Sequence, residues 1–243
     1  MNNELFQRLE MLIGTDNLHK LYQAKVLVLG LGGVGGYAVE ALARSGIGTL
    51  GIVDRDTVDI TNTNRQLIAF PNTVGAYKTT LWKDRILKIN PDCQVIEYPF
   101  FYLPDSDNTI DFEHYDFIVE AIDTIKAKIG VISVAQEKHI PIISSLGTGG
   151  RLHPELFRIG DMFETKEDPL ARQMRKEMRH HALSSIPCVY SLEIPKKSDV
   201  KNPENGKTVN GTSAFCPAVA GELMASYVVN HIIGPLDFKP ADN

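Results

Sequence analysis

A run of apolar residues that ends in a cluster of glycines narrows the folds open to this chain. Residues 26–48 read VLVLGLGGVGGYAVEALARSGIG, and Gly30, Gly32, Gly33 and Gly35 lie between a strand-like run and a helix-like pattern. Glycine permits a tight turn and lets backbone N–H groups approach a ligand, and the N-terminus of the following helix attracts phosphate. The spacing Gly-x-Gly-x-x-Gly matches the dinucleotide-binding fingerprint. We therefore predict the nucleotide-binding turn of a Rossmann-like fold.

Apolar runs and helical patterns alternate through the first 150 residues. Continuous apolar strands separated by helices indicate a parallel sheet covered on both faces. The predicted strands are 25–30, 48–54, 93–98, 116–123 and 141–147, and the predicted helices are 34–45, 75–90 and 125–138. We predict an α/β fold with a Rossmann-like, mostly parallel sheet, helices on both faces and antiparallel C-terminal strands.

The chain changes character after residue 150. Residues 196–212 are polar and rich in Lys, Asn and Gly, which indicates a mobile loop. The other predicted elements are one or two strands in 151–165 that return over the site, a charged helix at 167–183, a strand at 188–195 and an apolar helix at 215–234 that docks on the sheet.

Composition limits the number of domains. The 243 residues, 43% of them hydrophobic, are enough for one sizeable core. We therefore predict a single domain with N-terminal helices (1–24), a Rossmann-like core (25–150), and a substrate-side segment with the C-terminal helix (151–243). The net charge of -5 argues against non-specific coating of nucleic acid and still allows a local basic patch.

Cysteine content and hydropathy bear on the cellular compartment. Three widely spaced cysteines, Cys93, Cys188 and Cys216, form no disulfide framework and favour a reduced cytosol. The N-terminal residues include acids and no long apolar run, unlike a secretory signal. No stretch approaches the roughly 18 apolar residues of a membrane span. We predict a cytoplasmic protein that does not enter a membrane.

Polar residues beyond the predicted strands point to a nucleoside triphosphate. Asp54 ends the second strand, where a carboxylate accepts hydrogen bonds from ribose hydroxyls, as in proteins that bind NAD. Arg65 and Lys78 follow, and two fixed cations suit a triphosphate whose charge is stabilised during transfer. A hydride carrier gains nothing obvious from them. Asp123 ends the fourth strand, where a carboxylate that faces a triphosphate is a natural ligand of Mg²⁺.

Four motifs carry a resemblance to a known family. GLGGVG, DRDTVDITNTNRQ, GAYK and AIDT occur in this order, and over residues 6–150 the chain resembles the ubiquitin-activating-enzyme-like adenylating enzymes of the ThiF, MoeB and HesA type. Those enzymes activate a carboxylate with ATP and form an acyl-adenylate and pyrophosphate. The resemblance implies that Gly32 and Gly33 meet the phosphates and that Asp54 holds the ribose.

The resemblance also implies roles for the remaining polar residues. Asn62 and Arg65 would orient and neutralise the phosphates, Lys78 would contact the phosphates or the transferring centre, and Asp123 would bind Mg²⁺. Arg8 matches an arginine that reaches into the site of the neighbouring subunit, which implies a homodimer. The predicted catalytic residues are Arg65, Lys78 and Asp123, and the predicted ATP-binding residues are Gly30, Gly32, Gly33, Gly35, Asp54, Asp56, Asn62, Arg65, Gln66, Lys78 and, in trans, Arg8.

A more specific resemblance extends to about residue 234. NTNRQ, INPDC, AIDTIKAK, GTGGRLHPELFRIGDMFETKEDPLAR and CVYSLE resemble the tRNA threonylcarbamoyladenosine dehydratases. These activate the threonine carboxylate of a modified adenosine next to the anticodon. The carbamoyl group then attacks, AMP leaves, and a cyclic nucleoside that has lost one water results. The resemblance also allows a sulfur-transfer protein as a partner.

Binding of tRNA requires positive charge, and two segments supply it. The candidates are Arg172, Arg175, Lys176, Arg179, His180 and His181 in one segment, and Lys196, Lys197, Lys201 and Lys207 in the loop that follows. Phosphate contacts position a nucleic acid and make its affinity salt-dependent. Such runs are also common on solvated protein surfaces, so each segment keeps both interpretations.

Other functions stay open at this point. Adenylation of the C-terminus of a ubiquitin-like sulfur carrier uses the same half-reaction, but relatives with that function usually carry two CxxC zinc pairs, which this chain lacks. A third class is a nucleotide-sensing module without catalysis, or an NAD-dependent enzyme. The combination of Arg65, Lys78 and Asp123 argues against both. Cyclisation needs no enzyme nucleophile, and we assign none to Cys188 or Cys216.

Overall fold

The computed structural model describes residues 3–104, 109–166, 168–201 and 210–235, which fold around one seven-stranded sheet. The strands are β1 (Lys25–Leu29), β2 (Thr49–Val53), β3 (Gln94–Tyr98), β4 (Phe117–Glu120), β5 (Ile142–Ser145), β6 (Phe157–Asp161) and β7 (Pro187–Ser191). The α-helices are α1 (Gln7–Ile13), α2 (Thr15–Gln23), α3 (Gly35–Arg44), α4 (Lys78–Ile89), α5 (Ile125–Glu137), α6 (Pro169–His180) and α7 (Phe215–Ile233). Within these ranges no helix is both long and apolar enough to cross a membrane.

The sheet confirms the predicted α/β class. Its strand order is β3-β2-β1-β4-β5-β7-β6, and every neighbouring pair is parallel except β6 and β7. The chain moves outward in one direction from β1 to β3 and then returns to the other side of β1 with β4. This reversal creates a crevice between β1 and β4 at the carboxyl ends of the strands, where open α/β sheets bind ligands.

Side chains that alternate along the strands fill a core on each face of the sheet. Val26 and Val28 of β1 pack with α3 and α7 on one face, and Leu27 and Leu29 pack with α5 and α6 on the other. All four side chains are fully buried. Strands buried on both faces read as continuous apolar runs, which is why the sequence predicted them well.

Two element ends differ from the prediction for local reasons. Helix α4 begins at Lys78 rather than at residue 75, because Gly75 has φ +88° and cannot be helical. Strand β4 ends at Glu120, so Asp123 lies three residues into the connection rather than at the strand end. The Glu120 carboxylate accepts a hydrogen bond from the Ile122 N–H at 2.7 Å, which turns the chain away from the sheet.

The prediction that strands in residues 151–165 return over the site is wrong. Strand β6 instead extends the sheet at its edge, antiparallel to β7, with Gly160 opposite Cys188. The C-terminal helix docks as predicted, because α7 packs against α3 and the β5–β7 end of the sheet. Gly221 permits this approach, since a Cβ there would lie 2.3 Å from the Val34 carbonyl oxygen.

Candidate active site

A cavity of about 880 Å³ opens at the carboxyl ends of β1, β2, β4 and β5. Its walls come from loops at 30–34, 53–66, 121–124 and 145–148, which follow these four strands. The predicted site residues that line it are Gly30, Gly32, Gly33, Asp54, Asp56, Asn62, Arg65, Gln66, Lys78 and Asp123. The fold therefore brings together residues that lie up to 93 positions apart in the sequence.

The fingerprint glycines divide into two groups with different tasks. Gly30 has φ +88°, and a Cβ there would lie 2.6 Å from the Ala121 carbonyl oxygen. A Cβ on Gly35 would lie only 1.7 Å from the Gly30 carbonyl oxygen, so this glycine lets α3 start close to β1. Gly35 is buried and does not line the cavity, unlike Gly32 and Gly33. Gly30, Gly32 and Gly33 therefore line the cavity with backbone that a ligand can approach, whereas Gly35 serves the close packing of α3 on β1.

Asp54 and Lys78 form a largely buried pair of charges on the β1–β2 side of the cavity. The Asp54 carboxylate accepts hydrogen bonds from the N–H groups of Leu31 and Asp56, both at 2.8 Å. Lys78 Nζ lies 3.8 Å from Asp54 and 3.1 Å from Asp56, and its side chain is only 6% exposed. Burial raises the pKa of Asp54, and the nearby Lys78 ammonium opposes that rise.

The burial of Lys78 separates it from an ordinary surface lysine. A lysine is almost never buried unless it is paired. Here the stem crosses the protein interior and brings the ammonium to the cavity wall, next to two carboxylates. In the ion pair with Asp56 the lysine is buried but the carboxylate faces solvent, since the Asp56 side chain is 57% exposed. Lys78 therefore reaches a site where incoming phosphate can compete for its charge.

The turn at 59–66 carries three more of the predicted site residues. Asn62 is buried and its Oδ1 accepts a hydrogen bond from the Asp59 N–H at 3.2 Å, so it also closes the turn Ile60–Asn62. Arg65 Nη1 donates to the Thr61 carbonyl at 2.9 Å, which directs the guanidinium along the cavity wall. Within the described ranges the buried Oε1 of Gln66 has no hydrogen-bond partner. A ligand donor would satisfy that oxygen.

Asp123 is an exposed acid of the site, as are Asp56 and Asp59. It accepts a hydrogen bond from its neighbour Thr124 Oγ1 at 3.1 Å and lines the cavity on the β4 side. In the part of the chain that the structure describes, no three His, Cys, Asp or Glu side chains cluster as a metal site. A single carboxylate fits Mg²⁺, which is usually held by one or two carboxylates together with the phosphates of a substrate.

The sequence analysis assigned no role to three charged residues that line the cavity, Arg55, Asp59 and Lys128, of which only Lys128 is buried. Lys128 on α5 lines the cavity floor and its side chain is 1% exposed. Its ammonium lies 2.7 Å from Glu120 Oε2, and Glu120 also accepts from Ser144 Oγ at 2.6 Å. The available signal was a lysine inside the apolar helical run IKAKIGVISVA, since a buried lysine requires a partner.

Arg8 and the cysteines lie apart from this constellation. Arg8 is exposed on α1 and does not line the cavity of its own chain. Cys93, Cys188 and Cys216 are buried free thiols. Burial raises the pKa of Cys188 to about 12, and it also raises the pKa of Cys216. These thiols are protonated at neutral pH, which makes them poor nucleophiles.

Helix α6 presents part of its predicted basic set to solvent. Arg172, Lys176 and Arg179 are exposed on α6, as are His180 and His181 at its end. The guanidinium of Arg179 lies over the ring of Phe163, 5.2 Å from its centre. Arg175 differs, because its Nη1 donates to the Thr165 carbonyl at 2.9 Å and its side chain is half-buried. Arg175 therefore anchors the segment that precedes α6, which corrects its predicted place among the surface charges.

The second basic segment adjoins the cavity rim. The N–H of Lys196 donates to the Gly150 carbonyl at 2.8 Å, and the Gly150 N–H donates to the Gly211 carbonyl at 2.7 Å. Lys196, Lys197 and Lys201 are exposed. Lys207 lies outside the described residues. Helix α6 borders the same cavity through Leu170 in its first turn.

Comparisons with known proteins agree with this geometry. The sequence matches the ThiF family over residues 6–242. A tRNA threonylcarbamoyladenosine dehydratase of Bacillus subtilis is 38% identical over 245 residues, which cover 96% of each chain. Crystal structures of Escherichia coli tRNA N6-threonylcarbamoyladenosine dehydratase with AMP and with ATP have TM-scores of 0.86 and 0.85, at 30% identity, and cover 95% of this chain and 95% and 94% of theirs. The chain belongs to the ThiF family.

Proposed function

We propose that this protein is an ATP-dependent dehydratase that cyclises threonylcarbamoyladenosine in tRNA. The observation that carries the proposal is the cavity at the β1–β4 crevice, where the backbone of the glycine loop, the cations Arg65 and Lys78 and the exposed carboxylate of Asp123 meet. The chain that holds this cavity is similar over 96% of its length to such an enzyme. The ATP complex of the Escherichia coli relative supports ATP as the co-substrate.

The proposed reaction has two steps, adenylation of the carboxylate and cyclisation with release of AMP. An oxygen of the threonine carboxylate attacks the α-phosphorus of ATP, and the bond to pyrophosphate breaks. The carbamoyl group of the same nucleoside then attacks the activated acyl carbon, loses a proton, and releases AMP. The nucleoside has lost one water, whose oxygen leaves with AMP. The attacking group is within the substrate, so the protein has to position groups and stabilise charge rather than supply a nucleophile.

The residues of the cavity suit the first step. A carboxylate and a triphosphate repel each other, and Lys78 and Arg65 would offset that repulsion at the point of transfer. Asp54 would accept from the ribose hydroxyls, and Gly32 and Gly33 would bring backbone N–H groups to the phosphates. Mg²⁺ held by Asp123 and the phosphates would supply further neutralisation. The roles of Asp56, Asn62 and Gln66 are proposed on the same basis, since each lines the cavity.

Binding of tRNA is proposed to use the exposed basic residues of α6, the helix whose first turn borders the cavity. The charge-matched test replaces Arg172 and Lys176 by alanine on α6, and the control replaces Lys83 and Lys88 by alanine on α4. Arg179 is left in place because it also packs on Phe163. Each lost phosphate contact should lower the slope of log affinity against log salt by about 0.7–0.9. Equal slopes for the α6 variant, the α4 control and the unaltered protein would remove α6 from the interface.

Arg8 is proposed to complete the site of a partner subunit in a homodimer. An Arg8→Ala variant and a Lys78→Met variant, each inactive alone, would then complement each other when mixed. A mixed dimer has one intact site, so random pairing should restore about a quarter of the activity. Absence of any restored AMP formation after subunit exchange would contradict a shared site. From the same family resemblance we also propose a cytoplasmic location and a sulfur-transfer protein as a partner.

Release of AMP from ATP tests the choice of substrate class. We expect AMP to form only when the added tRNA carries threonylcarbamoyladenosine, and not with tRNA that lacks it. The second candidate, adenylation of a ubiquitin-like carrier, predicts pyrophosphate exchange that depends on the C-terminal tail of such a carrier. If neither the modified tRNA nor the carrier protein supports AMP formation or pyrophosphate exchange, both forms of the adenylation proposal are contradicted.

A further inference from the structure

A fully buried ion pair lies beneath the cavity and the proposed chemistry does not use it. Lys128 Nζ and Glu120 Oε2 are 2.7 Å apart, and their side chains are 1% and 0% exposed. The desolvation cost of a buried ion pair can exceed its Coulombic gain, and apolar residues of similar volume often serve stability equally well. Stability is therefore a weak reason for this pair, and its hydrogen bonds suggest a better one.

The pair is bonded to two separate loops of the cavity. Glu120 Oε1 accepts from the N–H of Ile122, at 2.7 Å, in the loop that carries Asp123. Lys128 Nζ donates to the carbonyl of Ser145, at 2.7 Å, where the loop 146–148 begins. Both loops line the cavity on its β4 and β5 side. The ion pair thus links the loop that carries Asp123 to the loop 146–148.

We propose that Lys128 and Glu120 are positioning residues that hold the Asp123 loop and the 146–148 loop in register for transfer. The proposal rests on the proposed function. The glycine loop and Asp54 follow β1 and β2, and among the described residues the side chains of the pair make no hydrogen bond to that loop or to Asp54. Loss of the pair should therefore lower kcat while ATP affinity stays nearly unchanged. Since a misplacement of about 1 Å can cost roughly 100-fold in rate, even a small loop shift is measurable.

The main test replaces both charges together. The double variant Lys128→Met with Glu120→Gln leaves no unpaired buried charge and keeps an acceptor for the Ile122 N–H, but it removes the link to Ser145. We expect a kcat at least tenfold lower, a KM for ATP within about twofold of the unaltered protein, and faster hydrogen exchange at the amides of 146–148. The control, Lys83→Met with Glu97→Gln, removes a more exposed pair of similar length, 2.8 Å, and should change none of these.

A second variant covers failure of the double variant to fold. Ser144→Ala removes only the hydroxyl that donates to Glu120 at 2.6 Å and leaves the ion pair in place. A smaller fall in kcat, again with unchanged KM for ATP, supports the proposal. An unaltered kcat and exchange rate in either folded variant overturns it, as does a rise in KM for ATP that equals the fall in kcat. If the unaltered protein makes no cyclic nucleoside, the proposed function fails, and the exchange rates still decide whether the pair joins the loops.

Discussion

Alanine at Gly32 and at Gly35 should produce two different failures, although the two glycines lie three residues apart in one fingerprint. The nearest atom to a Cβ on Gly32 is Gln66 Nε2 at 3.9 Å, so a methyl group there points into the open cavity. A Cβ on Gly35 would lie 1.7 Å from the Gly30 carbonyl oxygen, half the 3.4 Å of ordinary contact. The clash is with backbone, which cannot move aside as the end of a flexible side chain can, and the Ala121 Cβ stands 3.3 Å away.

The size of the Gly35→Ala effect follows from this overlap. Overpacking alone typically costs about 1–3 kcal/mol, and here a backbone carbonyl must move by about 1.7 Å, so we expect the upper end or more. The better helix propensity of alanine returns only about 1 kcal/mol. A net loss near 3 kcal/mol corresponds to a fall in Tm of roughly 6–12 °C for a domain of this size. Calorimetry without nucleotide measures it directly.

Gly32→Ala should leave Tm within about 2 °C, because no neighbouring atom has to move. Its methyl group would stand where a phosphate must approach the backbone. We expect ATP affinity, measured by titration calorimetry, to fall at least about tenfold, or 1.4 kcal/mol. A stable Gly35→Ala protein would refute the packing role of Gly35. Unchanged ATP binding by Gly32→Ala would refute the location of the phosphates in this loop.

Three further substitutions test other parts of the account. Lys78→Met should lower AMP formation about 100- to 1000-fold in a protein that still folds by circular dichroism, and activity near that of the unaltered protein would remove Lys78 from the site. Asp123→Asn should raise the Mg²⁺ concentration needed for half-maximal AMP formation, and an unchanged Mg²⁺ titration would contradict its role as a ligand. Burial raises the pKa of Glu40, but hydrogen bonds from Arg85 and Arg44 outweigh it and lower the pKa, so Glu40 stabilises the fold above its ordinary pKa. Glu40→Gln should therefore cost about 1.5–3 kcal/mol in urea unfolding at pH 7, with a difference that shrinks as pH falls below about 4.5, and equal stability at pH 7 would contradict it.

The elements that the sequence predicted best are those whose pattern has a single cause. Strand β1, the glycine turn and α3 follow from burial on both faces and from a close approach that only Gly30 and Gly35 allow. Asp54 was predicted because residues after parallel strands meet at one edge of the sheet, and Lys78 because a fixed cation suits a triphosphate; both line the cavity. The structure adds that Lys78 is buried, which periodicity around it did not indicate.

The features that escaped prediction depend on tertiary neighbours. Strand β6 pairs with the otherwise unpaired edge of β7, and no local sequence pattern predicts this pairing. Arg175 looks like its basic neighbours in sequence, but Thr165 lies within reach of its guanidinium in the fold. Lys128 of α5 pairs with Glu120, which lies eight residues earlier in the chain at the end of β4. In each case the deciding contact comes from an element whose position the sequence alone does not give.

The most direct test of the central claim is mass spectrometry of nucleosides from tRNA that carries threonylcarbamoyladenosine, after incubation with this protein, ATP and Mg²⁺ and a mild, non-alkaline work-up. The account predicts a nucleoside lighter by one water that forms only with ATP and with an intact Lys78. An unchanged nucleoside, in the presence of a folded protein that binds ATP, would contradict the proposed dehydration.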